Sequence, residues 1–82
     1  MDYIDRLTAQ RIDCDLPQKD IAKLINKSQQ GYDHIEKRRA KLSIEDFMTL
    51  CEFYNIIPEY FLGYTNEKQP LNKKKMIKPR SK

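Results

Sequence analysis

Histidine occurs once in these 82 residues, and cysteine and glycine twice each. His34 and two cysteines cannot complete a tetrahedral zinc set at any recognised spacing, and there is no Cys-x-x-Cys. Cys14 and Cys51 are too few for a disulfide-rich scaffold. A single bridge between them is permitted, but two free thiols in a reducing cytosol is the simpler expectation. With one histidine, no catalytic triad and no glycine-rich phosphate loop, there is nothing to assemble into an enzymatic site, and no cofactor or metal is expected. Long apolar runs are missing too. The nearest, Ile56 to Tyr64, is interrupted by Pro58, Glu59 and Gly63 and falls far short of the roughly 20 residues of a membrane span. The N-terminal Met1-Asp2-Tyr3-Ile4-Asp5 places acids where a signal peptide carries positive charge. A cytoplasmic protein is the expectation.

What is present is charge, unevenly distributed. The formal net charge is +4. Residues 1–66 hold nine Lys and Arg against eleven Asp and Glu, a balance of −2, whereas residues 67–82 hold seven against one, a balance of +6. The basicity therefore belongs to a tail. Within the body, Lys37-Arg38-Arg39-Ala40-Lys41 is the one dense basic patch. The tail, with Pro70, Pro79 and Lys73-Lys74-Lys75, lacks an apolar stripe and is expected to be a flexible segment over 67–82. Residues 1–66 suit one domain near the lower size limit for a single apolar core.

Apolar residues recur at three- and four-residue spacing, so the body reads as all-α with five helices. The first is expected near residues 2–13, with Ile4 and Leu7 on its inner stripe. The second, near 17–25, starts with Pro17 at its first helical position, faces inward through Ile21, Leu24 and Ile25, and closes at Asn26, which tolerates the left-handed conformation. Ser28 caps a third helix over 29–38, with Tyr32 and Ile35 inward. Ser43 caps a fourth over 44–54, with Phe47, Leu50, Cys51 and Tyr54 inward. A short fifth helix runs over 58–62, opened by Pro58 and ended by Gly63.

The second and third helices, joined by a turn of about three residues, have helix-turn-helix proportions. Ala22 is small where they cross. Ser28 opens the third helix with its N–H groups exposed, a setting that favours phosphate. The outward positions of that helix are Gln29, Gln30, Asp33, His34 and Lys37. The spacing Gln18-x-x-Ile21-Ala22, then Ser28-Gln29-x-x-Tyr32-x-x-x-Glu36, Arg38-Arg39, Leu50-Cys51-Glu52-Phe53-Tyr54-Asn55-Ile56 and Tyr60-Phe61-Leu62-Gly63 resembles the Cro and lambda-repressor-like helix-turn-helix proteins, the Xre family. The likeness runs from about Leu7 to Tyr64 and is closest to short regulators of Gram-positive bacteria and their phages.

The resemblance implies a compact five-helix domain that sets its third helix in the major groove, as a homodimer on a palindromic operator. It implies a transcriptional regulator, most simply a repressor, bound to double-stranded DNA at the nucleoid. Carried over by position, Gln29 and Gln30 fall where base edges are read, and Asp33 and His34, outward on the same helix, are further base-reading candidates. Gln pairs bidentately with adenine, and Asp33 can accept from cytosine N4 or repel a wrong register. Gln18, Ser28, Lys27, Lys37, Arg38, Arg39 and Lys41 fall where phosphates are held. Arg11 and Glu36 match a structural ion pair. Tyr60, Phe61 and Tyr64 exceed the apolar area a five-residue helix readily buries and are a candidate dimer surface. Pro17 replaces the usual Ser or Thr cap, Asn26 the turn glycine, Lys27 an apolar residue, and Gly31 lies within the third helix. The acidic body and Asp33 leave a second reading open: a protein-interaction module of the same fold, such as an antitoxin or an antirepressor-like partner.

Overall fold

The computed structural model describes residues 2–72 of the chain; the expected tail from Lys73 onward, with its lysine run, lies outside the described residues. Five helices and no strand occur among them: α1 (Tyr3–Asp13), α2 (Gln18–Leu24), α3 (Gln29–Glu36), α4 (Ile44–Tyr54) and α5 (Pro58–Leu62).

Each start has a local cause. Asp2 and Asp5 form a reciprocal capping box at α1. The Ser28 hydroxyl accepts from the Gly31 N–H at 3.0 Å and the Ser43 hydroxyl from the Asp46 N–H at 3.1 Å. Pro17 is the N-cap of α2 rather than its first helical residue, with no side-chain cap. Pro58 opens α5 at its first turn.

The stops share one device. Each helix ends through a residue with positive φ: Asp15, Asn26, Arg38, Asn55 and Gly63. After α2, Lys27 N–H donates to Ala22 O at 2.9 Å; after α3, Arg39 N–H donates to His34 O at 2.7 Å. This 6→1 bond satisfies a carbonyl that the helix end would leave unpaired. It also stops α3 at Glu36, short of the expected 38.

The core joins Ile4 and Leu7 of α1, Ile21, Ala22 and Ile25 around α2, Tyr32 and Ile35 of α3, Phe47, Leu50 and Cys51 of α4, and Ile56 and Phe61. Each large side chain so buried contributes about 1.5–3 kcal/mol. Phe61 meets Phe47 edge-on at 6.3 Å between ring centroids. It is 0 % exposed, so it belongs to the core and not to a dimer surface. Leu24, expected inward, is 38 % exposed, and Ile21, Ala22 and Ile25 take the inner stripe. Cys51 is buried and Cys14 exposed, both as free thiols. Burial pushes the Cys51 thiol up to about 11.

Arg6 ties α1 to the C-terminal side of the fold. Its guanidinium donates to Tyr60 O at 2.7 Å, Thr65 O at 2.9 Å and Asn66 Oδ1 at 3.0 Å, and it lies 4.8 Å from the Tyr60 ring centroid. The chain after Asn66 does not leave the body at once. Ile57 N–H donates to Gln69 O at 2.9 Å, and Asn72 N–H donates to Asn55 Oδ1 at 2.8 Å. The first six residues assigned to the tail are therefore laid against the α4–α5 corner. No helix among the described residues is long and apolar enough to cross a membrane.

Candidate nucleic-acid interface

The turn between α2 and α3 sets the two helices as a rigid pair. Ala22, Ile21 and Ile25 pack against Tyr32 and Ile35, all buried, and only small Ala22 permits close approach at the crossing. With those faces turned in, Gln29 and Gln30 at the first turn of α3 are exposed. Neither makes a side-chain hydrogen bond within the described residues, so both amides are available to a partner. Ser28 caps this end. Gly31 belongs to the same turn, where an added Cβ would lie 3.2 Å from Ser28 Oγ.

Further along α3 the polar groups are engaged with one another. Gln18, at the start of α2, donates from Nε2 to Asp33 Oδ1 at 2.9 Å and to Glu36 Oε1 at 3.0 Å. Both neighbours are carboxylates, so the amide must face them with its NH2 group. Asp33 also receives Lys37 Nζ at 3.0 Å, an i,i+4 pair. Gln18 and Lys37 together hold the Asp33 carboxyl below its usual range. Glu36 closes the network with Arg11, whose Nε and Nη2 donate to its two oxygens at 2.7 and 3.1 Å. Arg11 also donates to Leu16 O at 2.8 Å, which fixes the entry to α2. Burial pushes the Glu36 carboxyl up, but hydrogen bonds from Arg11, Gln18 and Tyr32 outweigh it, and the net direction is down.

The basic segment after α3 divides in two. Arg38 turns back onto the start of α1. Its Nη2 donates to Asp2 Oδ1 at 2.7 Å, its Nε to Asp2 Oδ2 at 3.1 Å, and Nη2 also reaches Asp5. The Arg38 guanidinium, followed by the Asp5 N–H, holds the Asp2 carboxyl at about 2. Arg39 and Lys41 are exposed and form no ion pair among the described residues. With Arg38, Asp2 and Ile35 they line an open cleft of about 290 Å³. Lys27 leans toward Asp46, 3.9 Å away. His34 is half-buried, and its carbonyl accepts from Arg39 and Ala40 N–H.

Of the sequence-named aromatics, Tyr60 is half-buried between Arg6 and Lys68, and Tyr64 is 81 % exposed. Further apolar side chains are exposed elsewhere, among them Ile44 and Leu62. These two line a shallow pocket of about 200 Å³ with Tyr3, Leu42 and Phe47. Sequence reasoning missed two pairings: Asp33 with Gln18, and Arg38 with the α1 acids. The Asp33-to-Lys37 spacing and the Asp2-x-x-Asp5 box were visible signals, but the tertiary partner of each was not.

The geometry is an outward amide pair at a capped helix start, backed by an ion-paired network and flanked by a cationic cleft. It can donate to phosphate and read base edges. No group of His, Cys, Asp and Glu able to hold a metal ion occurs among the described residues. Comparison with family profiles matches residues 7–62 to the helix-turn-helix family. Comparison with curated proteins and with solved structures finds no match.

Proposed function

From the premise that the chain belongs to the Xre/Cro-like helix-turn-helix family of DNA-binding regulators, we propose that it is a sequence-specific repressor of transcription. In this reading α3 enters the major groove of duplex DNA, and two copies of the chain occupy the halves of a palindromic operator. The observation that carries it is the state of Gln29 and Gln30. They are the exposed, unengaged amides on the outer face of α3, at the capped end, and glutamine amides match the adenine edge. Ser28 and Lys27 supply phosphate contacts beside them, and Arg39 and Lys41 supply others past the opposite end of the helix. A half-site spacing of about 34 Å follows from two-fold docking on B-DNA. Ile44, Leu62 and Tyr64 offer the apolar area for pairing the two copies.

Selection of the full chain against a random duplex library tests this. Enrichment of one sequence with two-fold symmetry is the expected result. A library that stays unenriched, with a second protein copurifying stoichiometrically, overturns it in favour of an interaction module such as an antitoxin. The acidic body and the engaged Asp33 are what support that second reading.

A further inference from the structure

Arg38 occupies a backbone position that asks for glycine or asparagine. Its φ is 62°, a left-handed conformation that is strained for a residue with a Cβ. In the turn itself the guanidinium makes one long contact, Nη1 donating to Glu36 O at 3.4 Å; its shorter bonds go to the start of α1. It binds Asp2 through two of its nitrogens and reaches Asp5 as well. This is the forked arrangement that a guanidinium equally makes with a phosphodiester. Both partners are exposed, so the pairs are weak and screened by salt.

The two carboxylates have a second occupation. Asp2 Oδ1 accepts from the Asp5 N–H at 3.0 Å, and Asp5 Oδ2 accepts from the Asp2 N–H at 3.2 Å. Departure of Arg38 therefore leaves the capping box and the start of α1 intact. Around the guanidinium, the cleft holds Arg39 and Lys41, which no carboxylate among the described residues neutralises.

We propose that this cleft is a phosphate site masked by the chain's own N-terminal acids: on binding duplex DNA, a backbone phosphate displaces Asp2 and Asp5 from Arg38. The proposal rests on the DNA-binding reading above and adds an internal competitor to it. The acids lower affinity for every duplex alike, because the exchange takes place at the backbone, where sequence is not read. The mask holds down non-specific binding and leaves the choice of site to α3.

The test is a mutant cycle in the full chain, titrated with a mixed-sequence duplex between about 50 and 200 mM salt. The proteins are the wild type, Asp2→Asn/Asp5→Asn, Arg38→Met and the triple variant, each checked for folding by thermal melt. Asparagine keeps the N-cap of α1. Removing the acids is expected to tighten binding at least threefold in the wild-type background and to do much less in Arg38→Met. Arg38→Met is expected to flatten the salt slope by about one, equivalent to roughly three- to fourfold over that salt range. In parallel, the Arg38 Nε–Hε NMR signal of the wild type is expected to move on addition of the duplex. That measurement needs no variant. An equal gain in both backgrounds, reflecting long-range charge alone, or an Arg38 signal unmoved by DNA that does bind, overturns the masking. If the wild type binds neither mixed nor library-selected duplex, the DNA-binding reading falls and the masking with it.

Discussion

The side-chain amide of Gln18 donates to Asp33 at 2.9 Å, and its other N–H goes to Glu36. Both donors are thereby taken, and what remains is a carbonyl oxygen, which cannot bond a phosphate oxygen. A phosphate contact from Gln18 requires one of these bonds to break. In the proposed docking, Asp33→Asn removes both the charge that holds the amide and a carboxylate that would lie close to the DNA. The variant is expected to bind every duplex more tightly, as fluorescence anisotropy would read. A change confined to one base pair would instead assign Asp33 to base reading.

Arg11 and Glu36 are the most enclosed ion pair among the described residues, at 2.7 Å with side chains 13 % and 9 % exposed. Arg11→Met leaves Glu36 without its charged partner in a half-dry site. A loss of about 3 kcal/mol is expected, read as a lowered denaturant midpoint with an unchanged slope.

Glu36 and three further carboxylates set a pH dependence. The folded-state values of Glu36, Asp2, Asp5 and Asp33 all lie below their ordinary ones. Carboxylates lowered by folding contribute stability that is fully present above the ordinary carboxylate range. That stability is lost as pH falls through the lowered values, here toward about 2 for Asp2. Melting temperature should therefore be flat near neutrality and fall below about pH 4. In Glu36→Gln the acid-side fall should be shallower and the neutral-pH stability lower. A fall beginning well above the carboxylate range would contradict this assignment.

Gln29→Ala is expected to cost about 1–3 kcal/mol on the selected operator and to relax preference at one base pair. Competition among single-base operator variants reads this directly. Equal weakening on all of them would make Gln29 a positioning contact.

Ending the chain after Asn72 removes all six net positive charges of residues 73–82 while keeping the Asn55–Asn72 and Ile57–Gln69 hydrogen bonds. This truncation should flatten the salt slope and leave the preferred sequence and the melting temperature unchanged. Ending it after Asn66 should also lower the melting temperature, because Ile57 N–H then loses its acceptor.

The helices were legible because each start carries its own signal. Ser28, Ser43 and Pro58 announce helices locally, and three- and four-residue apolar spacing assigns their inner faces. The stops were half legible. Asn26, Asn55 and Gly63 tolerate positive φ openly and Asp15 belongs to a residue type that also visits it, whereas Arg38 carries no such signal. With two glycines in the chain, four of the five left-handed closures fall to other residues. Missing the one at Arg38 put the end of α3 two residues too far. Phe61 lies in the core and not on a surface; spacing alone does not say which aromatics of a short helix meet Phe47. The network around Gln18 was invisible for a related reason: its members lie 15 and 18 residues apart, and only the crossing of α2 and α3 brings them together.

The most direct test of sequence-specific DNA binding is the affinity ratio between the library-selected duplex and its scrambled counterpart, at about physiological salt, for the full chain. The expected ratio is about 10³ or more, with the selected complex weakening steeply as salt rises. A ratio near one, at any salt, would contradict the account.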